Sequence, residues 1–395
     1  MEPKIRFKGF EGEWKTSAIG DFTTSFSGGT PTAGASEFYG GNIPFIRSGE
    51  IHESKTELFL TDAGLNNSSA KVVEKGTLLY ALYGATSGEV GISKIKGAIN
   101  QAILAIYPNK TVDKRFLANY LQSHKQKIVG ELLQGGQGNL SGALVKSISV
   151  NYPNNREQQA ISDYVDSLDS QISASTSRLA SLKQMKAASL QAMFPQEGET
   201  VPKIRFKGFE GEWKKVKFSE LYERSSIKND LSFGTDKIIS VANMYFIKNS
   251  RQVDDDYLRS YNIMRLGDIA FEGNKSKNFA HGRLVENTIG DVIVSHVFIV
   301  MKPISKNYDL NFWKYYINNE NIMGNILVRS TKSSTMMTDL VVDDFLKESI
   351  LVPSYEEQIE IGKILTSLDR QISLQSQRLE KLKQIKSACL DKMFV

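Results

Sequence analysis

The residues able to bind metals or perform acid–base chemistry are few and scattered. Four histidines, His52, His124, His281 and His296, stand far apart, and none belongs to an HExxH pattern, so the chain encodes no histidine cluster with metal-ligand spacing. The single cysteine, Cys389, excludes an internal disulfide and a thiolate metal cage. The densest acidic run, Asp254-Asp255-Asp256, is what a metal-dependent nuclease would need, but it reads as a solvated turn. No GxxxxGK[ST] phosphate loop occurs, and Gly88-Glu-Val-Gly91 is too short for a dinucleotide fingerprint. Asn42-Ile-Pro-Phe45 lacks the second proline of an adenine methyltransferase Asn-Pro-Pro-Phe turn and reads as a strand start. The expectation is a chain with no catalytic residue, no metal and no cofactor of its own.

Other residue types fit the recognition of nucleic acid. Tyr83-Gly-Ala-Thr-Ser-Gly88 offers the hydroxyls of Tyr83, Thr86 and Ser87 beside glycines that allow close backbone approach. Gln134-Gly-Gly-Gln-Gly-Asn-Leu-Ser141 offers the amides of Gln134, Gln137 and Asn139, a group that pairs bidentately with adenine. Asn274-Lys-Ser-Lys-Asn278 brings Asn274, Lys275, Lys277 and Asn278, followed by His281 and Arg283. Arg329-Ser-Thr-Lys-Ser-Ser334 brings Arg329, Lys332 and Ser333. Arginine and lysine suit guanine edges and phosphates. A net charge of +5 permits a polyanionic partner without requiring one.

These loops must be held by elements, and the elements come in duplicate. Pro3-Lys-Ile-Arg-Phe-Lys-Gly-Phe-Glu-Gly-Glu-Trp-Lys15 recurs unchanged from Pro202 to Lys214. A second repeat closes each half, from Glu157-Gln158 to Met193-Phe194 and from Glu357-Gln358 to Met393-Phe394. Between them, residues 16–152 and 215–352 share only a skeleton: Gly76-Thr-Leu-Leu-Tyr-Ala against Gly267-Asp-Ile-Ala-Phe-Glu, then Gly91 against Gly282. One fold with two different surfaces is implied.

The closing repeats read as long helices over 154–194 and 354–394. Ile161, Val165, Leu168, Ile172, Leu179 and Leu182 follow spacings of four and three, as do Ile361, Leu365, Leu368, Ile372, Leu379 and Leu382. This is a coiled-coil seam. Ser175 or Gln375, and Lys186 or Lys386, interrupt both copies at matching places, where polar residues fix register and partner. Ser354 with Glu357 makes a capping-box pattern, and Asn154 with Glu157 comes close to one. Each seam needs an apolar partner, and antiparallel pairing of the copies supplies it, giving a rod of about 50–60 Å. In residues 16–152 strands are expected at 42–46, 77–81 and 102–106, with a helix from Asp113 to Leu133. In 215–352 they are expected at 237–241, 268–271 and 292–301, with a helix near Leu310–Leu327. The fold class is α+β: two mixed α/β domains joined by two long antiparallel coiled-coil helices in a pseudo-two-fold repeat. The expected boundaries are 1–152, 153–197, 198–352 and 353–395.

This layout resembles the specificity (S) subunits of type I restriction–modification systems, over essentially the whole chain. The residues that carry the resemblance are the Pro3–Trp14 repeat, Ser27-Gly-Gly-Thr-Pro31 followed by Tyr39-Gly-Gly-Asn-Ile-Pro-Phe-Ile-Arg47, and the two Glu-Gln helix starts. The resemblance implies two target-recognition domains, each reading part of a split, asymmetric DNA site, with Thr30 and Arg47 added to the DNA-contacting residues. It implies that the helical repeats set the spacer and dock two methyltransferase (M) subunits, which bind S-adenosylmethionine, and that restriction (R) subunits using ATP and Mg join them. The second half lacks the Ser-Gly-Gly-Thr-Pro turn, so contacts inferred from it do not transfer to 215–352. The rival reading is a coiled-coil protein-interaction scaffold without DNA specificity. No apolar run nears the ~20 residues that span a bilayer, and residues 1–14 lack a signal core, so a cytoplasmic location and no membrane partner are expected.

Overall fold

The computed structural model describes residues 2–132, 139–247, 254–333 and 337–395. The chain divides into two compact units, Met1–Thr176 with Arg378–Val395, and Ser177–Gln377.

In the first unit a four-stranded antiparallel sheet takes the order Thr23–Ser27, Ile103–Pro108, Leu78–Ala81, Val90–Ile92. Side chains alternate across a strand, and here both faces are covered. Leu79 and Ala81 join Ile46, Ile99 and Ile103 in one apolar cluster. Leu78 and Tyr80 join Phe116, Leu117, Tyr120 and Leu121 of a helix in another. That is why these strands read as continuous apolar runs. The second sheet orders Leu58–Leu60, Tyr39–Ile46, Gly97–Ile99, Lys71–Val73, with Phe45 opposite Ala98 in its one parallel pair.

The second unit repeats the first sheet as Tyr222–Ser225, Ile299–Pro303, Ile269–Glu272, Arg283–Glu286. The register repeats too: Leu78 faces Ile106 in one unit, and Ile269 faces Met301 in the other. The other sheet is not repeated whole. It survives as two two-stranded pairs, Ile239–Ser240 with Tyr245–Phe246, and Asn262–Met264 with Val292–Val294. The expected strand at 292–301 is therefore two strands, parted by a turn in which Phe298 N–H donates to the Ser295 carbonyl.

Both expected domain helices are also split. The first becomes Lys114–Ser123 and Lys125–Leu132, capped by the Asp113 carboxylate, and breaks where Ser123 and His124 both turn back on the Tyr120 carbonyl. The second becomes Leu310–Tyr316 and Glu320–Ser330, because the Asn319 side chain starts a new N-terminus by accepting from Asn321 N–H.

The long helices run Asn155–Ala192 and Tyr355–Lys392. In the first unit Ile161, Val165, Leu168, Leu379 and Leu382 are buried; in the second, Leu182, Ile361, Leu365 and Leu368 are. Ile172, Leu179 and Ile372 are half-buried. The helices are antiparallel: in the first unit Tyr164 lies beside Cys389, and Asp169, further along, reaches back to Lys386. The lysines that interrupt the seam find carboxylates on the opposing helix, Lys386 with Asp169 and Lys186 with Asp369. Among the described residues no helix is long and apolar enough to cross a membrane.

The helix starts differ from a plain capping box. Asn154 and Ser354 accept from the N–H of Glu157 and Glu357, as a cap requires. The Glu157 carboxylate, 1% exposed, does not return to the cap. It takes two hydrogen bonds from Arg6, at 2.7 and 2.8 Å. Glu357 takes two from Arg205, both at 2.7 Å. Gln158 accepts from Asp113 N–H and donates to the Pro153 carbonyl; Gln358 does the same with Asp309 and Pro353. The repeated arm and the repeated helix start are two halves of one latch, which also holds the capped end of a domain helix.

Candidate nucleic-acid interface

In each unit one candidate loop leaves a strand of a four-stranded sheet and another segment follows a helix, and backbone bonds gather them. In the first unit Leu82 N–H donates to the Ala102 carbonyl, and Leu140 N–H donates to the Leu82 carbonyl at 3.0 Å. Tyr83, Gln101 and Asn139 thus begin side by side. The turn Gly84–Thr86 follows Tyr83. Its hydroxyls point home: Thr86 donates to the Tyr83 carbonyl and Ser87 to the Leu82 carbonyl, which leaves lone pairs outward. Asn139 is exposed, and Gln134 and Gln137 lie outside the described residues.

Thr30 joins the same rim, because its hydroxyl donates to the Gln101 side chain. The two glycines before it are required by close packing. A Cβ on Gly28 would lie 1.8 Å from the Ile99 carbonyl oxygen, and one on Gly29 would lie 2.5 Å from Ser69. Arg47 follows Ile46, whose carbonyl accepts from Asn100 N–H, so it too starts near this rim. Its guanidinium is engaged by Glu50 and Glu57, which raise its pKa. Burial works to raise Glu50, yet Arg47 and the local backbone N–H groups hold its carboxyl below the ordinary value.

The second unit builds its rim with the same bond. Thr338 N–H donates to the Gly273 carbonyl at 2.8 Å, where the first unit has Leu140 and Leu82. Gly273 and Gly282 have no room for a Cβ, which would meet the Thr338 carbonyl oxygen at 2.0 Å and the Glu272 carbonyl oxygen at 2.6 Å. The hairpin of Thr331–Ser333 and Thr338–Leu340 therefore docks on the start of the Asn274–Asn278 loop. Exposed Asn274, Lys275, Lys277 and Asn278 come together with exposed Lys332 and Ser333. Arg283 is held across the rim, donating to the buried Glu272 at 2.7 Å with its guanidinium 4.8 Å from the Phe279 ring centre. Asn274 also donates to Glu272. His281 faces Glu320, whose carboxyl burial raises and His281 pulls back. Arg329 lies just before the hairpin and is bound twice to Glu348 at 2.9 and 2.7 Å.

One cluster was not anticipated from the sequence. Glu89 accepts from Lys125 and lies 3.5 Å from His52, next to the Tyr83 turn. Lys125, against the opposing pull of burial, and His52 hold its carboxyl low. A Cβ on Gly91 would strike Ile51 and His52, which packs this corner closely. Burial lowers the His124 pKa, and that ring stacks on Tyr120 at 4.2 Å. Among the described residues no group of His, Cys, Asp and Glu could hold a metal ion.

The same fold used twice, latched in the same way and rimmed by different polar loops, defines a tandem of one domain type. The family described as type I restriction modification DNA specificity domain matches residues 11–184 and again 210–384, and the chain belongs to that family. A type I restriction enzyme specificity subunit of Methanocaldococcus jannaschii, MjaIX, is 29% identical over 168 residues, covering 40% of this chain and 38% of that relative. The chain thus spans about two fifths of that relative's length. Another from the same organism, MjaVIII, is 20% identical over 401 residues, covering 96% of this chain and 91% of the relative. Among solved structures, the type I restriction–modification S subunit from M. genitalium has the same fold, with a TM-score of 0.61 at 15% identity over 100% of this chain and 99% of that one.

Proposed function

We propose that this chain is the DNA-specificity subunit of a type I restriction–modification complex and that it performs no chemistry itself. The observation that carries the reading is the equivalence of the two rims. One backbone bond, Leu140 to Leu82 and Thr338 to Gly273, gathers loops of the same fold that present different side chains. Two versions of one recognition surface suit a target of two different halves.

Residues 1–152 and 198–352 are the target-recognition domains; 153–197 and 353–395 are the helical spacers. In the first domain Thr30, Arg47, Tyr83, Thr86, Ser87, Gln134, Gln137 and Asn139 face DNA. In the second, Asn274, Lys275, Lys277, Asn278, His281, Arg283, Arg329, Lys332 and Ser333 do so. Amides and hydroxyls read base edges, while lysines neutralise phosphates. Two methyltransferase subunits carrying S-adenosylmethionine dock on the helical repeats, and restriction subunits supply ATP- and Mg-dependent cleavage. The family and the relatives' names support the specificity role of this chain.

The test is methylome sequencing of cells carrying the chain with its methyltransferase partner, against cells lacking only the chain. Methylation at one split, asymmetric motif that depends on the chain is expected. An unchanged methylome with both proteins expressed would favour a scaffold without DNA specificity.

A further inference from the structure

In the second unit, Tyr245–Phe246 pairs with Ile239–Ser240 as a hairpin of two residues per strand. So short a ribbon has little stability of its own. It is held because Ile239 and Val241 enter the core and Ile247 N–H extends the pairing to the Ile238 carbonyl. Its turn holds Met244 at φ 49°, a conformation that a non-glycine residue keeps only when its surroundings impose it.

What this hairpin displays is unusual for a water-facing edge. Tyr245, Phe246 and Ile247 are 55%, 41% and 40% exposed. Successive strand residues point to opposite faces, so apolar surface is exposed on both faces of this strand. The hairpin also lies beside the proposed reading loop. Asn243 and Met244 line the same cleft, of about 840 Å³, as Asn278 and Phe279. Lys237 places its ammonium 5.7 Å from the Phe246 ring centre.

We propose that the Tyr245–Phe246–Ile247 strand is an apolar base-contacting element of the second recognition domain. A two-stranded ribbon fits the major groove, where apolar side chains contact thymine methyls, and aromatic rings and aliphatic wedges also contact bases in bent or opened DNA. Its occupant is duplex DNA rather than protein, because the hairpin turn shares its cleft with Asn278 of the proposed reading loop and the Lys237 ammonium lies over the Phe246 ring. The proposal rests on the DNA-reading assignment of this unit.

The test uses the full chain assembled with its methyltransferase partner and two variants, Tyr245→Ser with Phe246→Ser, and the apolar control Phe246→Leu. Affinity for a duplex bearing the methylome-defined motif is measured with each, together with the motif each variant methylates in cells. The serine pair is expected to weaken specific binding about tenfold or more and to relax one or more positions in the half-site read by the second unit, with the other half-site unchanged. Phe246→Leu is expected to keep most affinity, and thermal unfolding of both variants should match the parent. Parental affinity and an unchanged motif in the serine pair would overturn the proposal. If instead the unmodified chain directed no methylation to any motif, it is the DNA-reading assignment that would fail.

Discussion

Arg6 and Glu157, 151 residues apart in the chain, are joined by a two-pronged ion pair whose carboxylate is fully buried, and Arg205 and Glu357 repeat it at a separation of 152. This explains why the two most similar repeats are the arm and the helix start: they are two sides of one contact, made once in each unit. Ile5 N–H also donates to the Lys392 carbonyl and Ile204 N–H to the Ala192 carbonyl. Removing one partner of a buried pair strands the other. Arg6→Ala should cost the first unit about 3 kcal/mol or more, read as lost hydrogen-exchange protection around residues 155–165 with the second unit unaffected. Arg6→Lys should recover only part, since an ammonium cannot match the fork. Unchanged protection in Arg6→Ala would dismiss the latch.

The seam lysines fix how the helices pair. Lys386→Asp sets two carboxylates against each other at Asp169 and should cost about 1 kcal/mol, a modest value because both groups are partly exposed. Adding Asp169→Lys should restore the melting temperature. The equivalent exchange of Lys186 and Asp369 should restore less, because Asp369 also accepts from the Tyr315 hydroxyl at 2.6 Å. Equal recovery in both exchanges would contradict that difference.

The two units should respond differently to pH. At equivalent pairing positions Ser93 N–H donates to the Thr77 carbonyl and Asn287 N–H to the Asp268 carbonyl, so Asp268 stands where the first unit has Thr77. Burial, helped by Asp291 and opposed by Arg265, pushes the Asp268 carboxyl up to about 6. Burial and Asp309 also raise Glu286, which faces Ile269 where Ile92 faces Leu78. A carboxyl raised by folding is protonated in the native state while the unfolded chain has already released its proton. Stability therefore falls as pH rises from about 4 to about 6 and is flat above that for Asp268. Protection of the second unit, corrected for intrinsic exchange rates, should drop relative to the first over this range. Asp268→Asn should reduce the slope; an unaltered slope would count against this cause.

If the helices set the unread gap, a seven-residue insertion in both, at the Thr176/Ser177 and Gln377/Arg378 boundaries, adds about 10 Å of helix, or about three base pairs. The preferred motif should gain that many unread positions while keeping both halves. A motif with the parental gap would break the link between helix length and spacing.

Much of this was legible in the residues, and the exceptions have physical causes. The repeats, the α/β character and the seam follow from identity and periodicity, which need no tertiary information. The splits at His124 and Asn319 were not foreseen, because side chains there compete locally for backbone groups inside otherwise helical patterns. The Glu-Gln starts read as caps, since a sequence cannot reveal that the glutamate is claimed by an arginine 151 residues away, although the joint repetition of both pieces is a sign of it. The rim loops were recognised singly; that Leu82 binds Leu140 and Gly273 binds Thr338 is a product of the fold. The arginines Arg47, Arg283 and Arg329 look free in sequence and are each held by a glutamate.

If each unit reads its own half of the target, one methylome measures it. In cells carrying the methyltransferase partner, the chain is replaced by a variant with Asn274→Ala, Lys277→Ala and Lys332→Ala, all on exposed rim positions of the second unit. A motif with one half intact and the other relaxed or lost is expected. Relaxation of both halves together, or of neither, would contradict it.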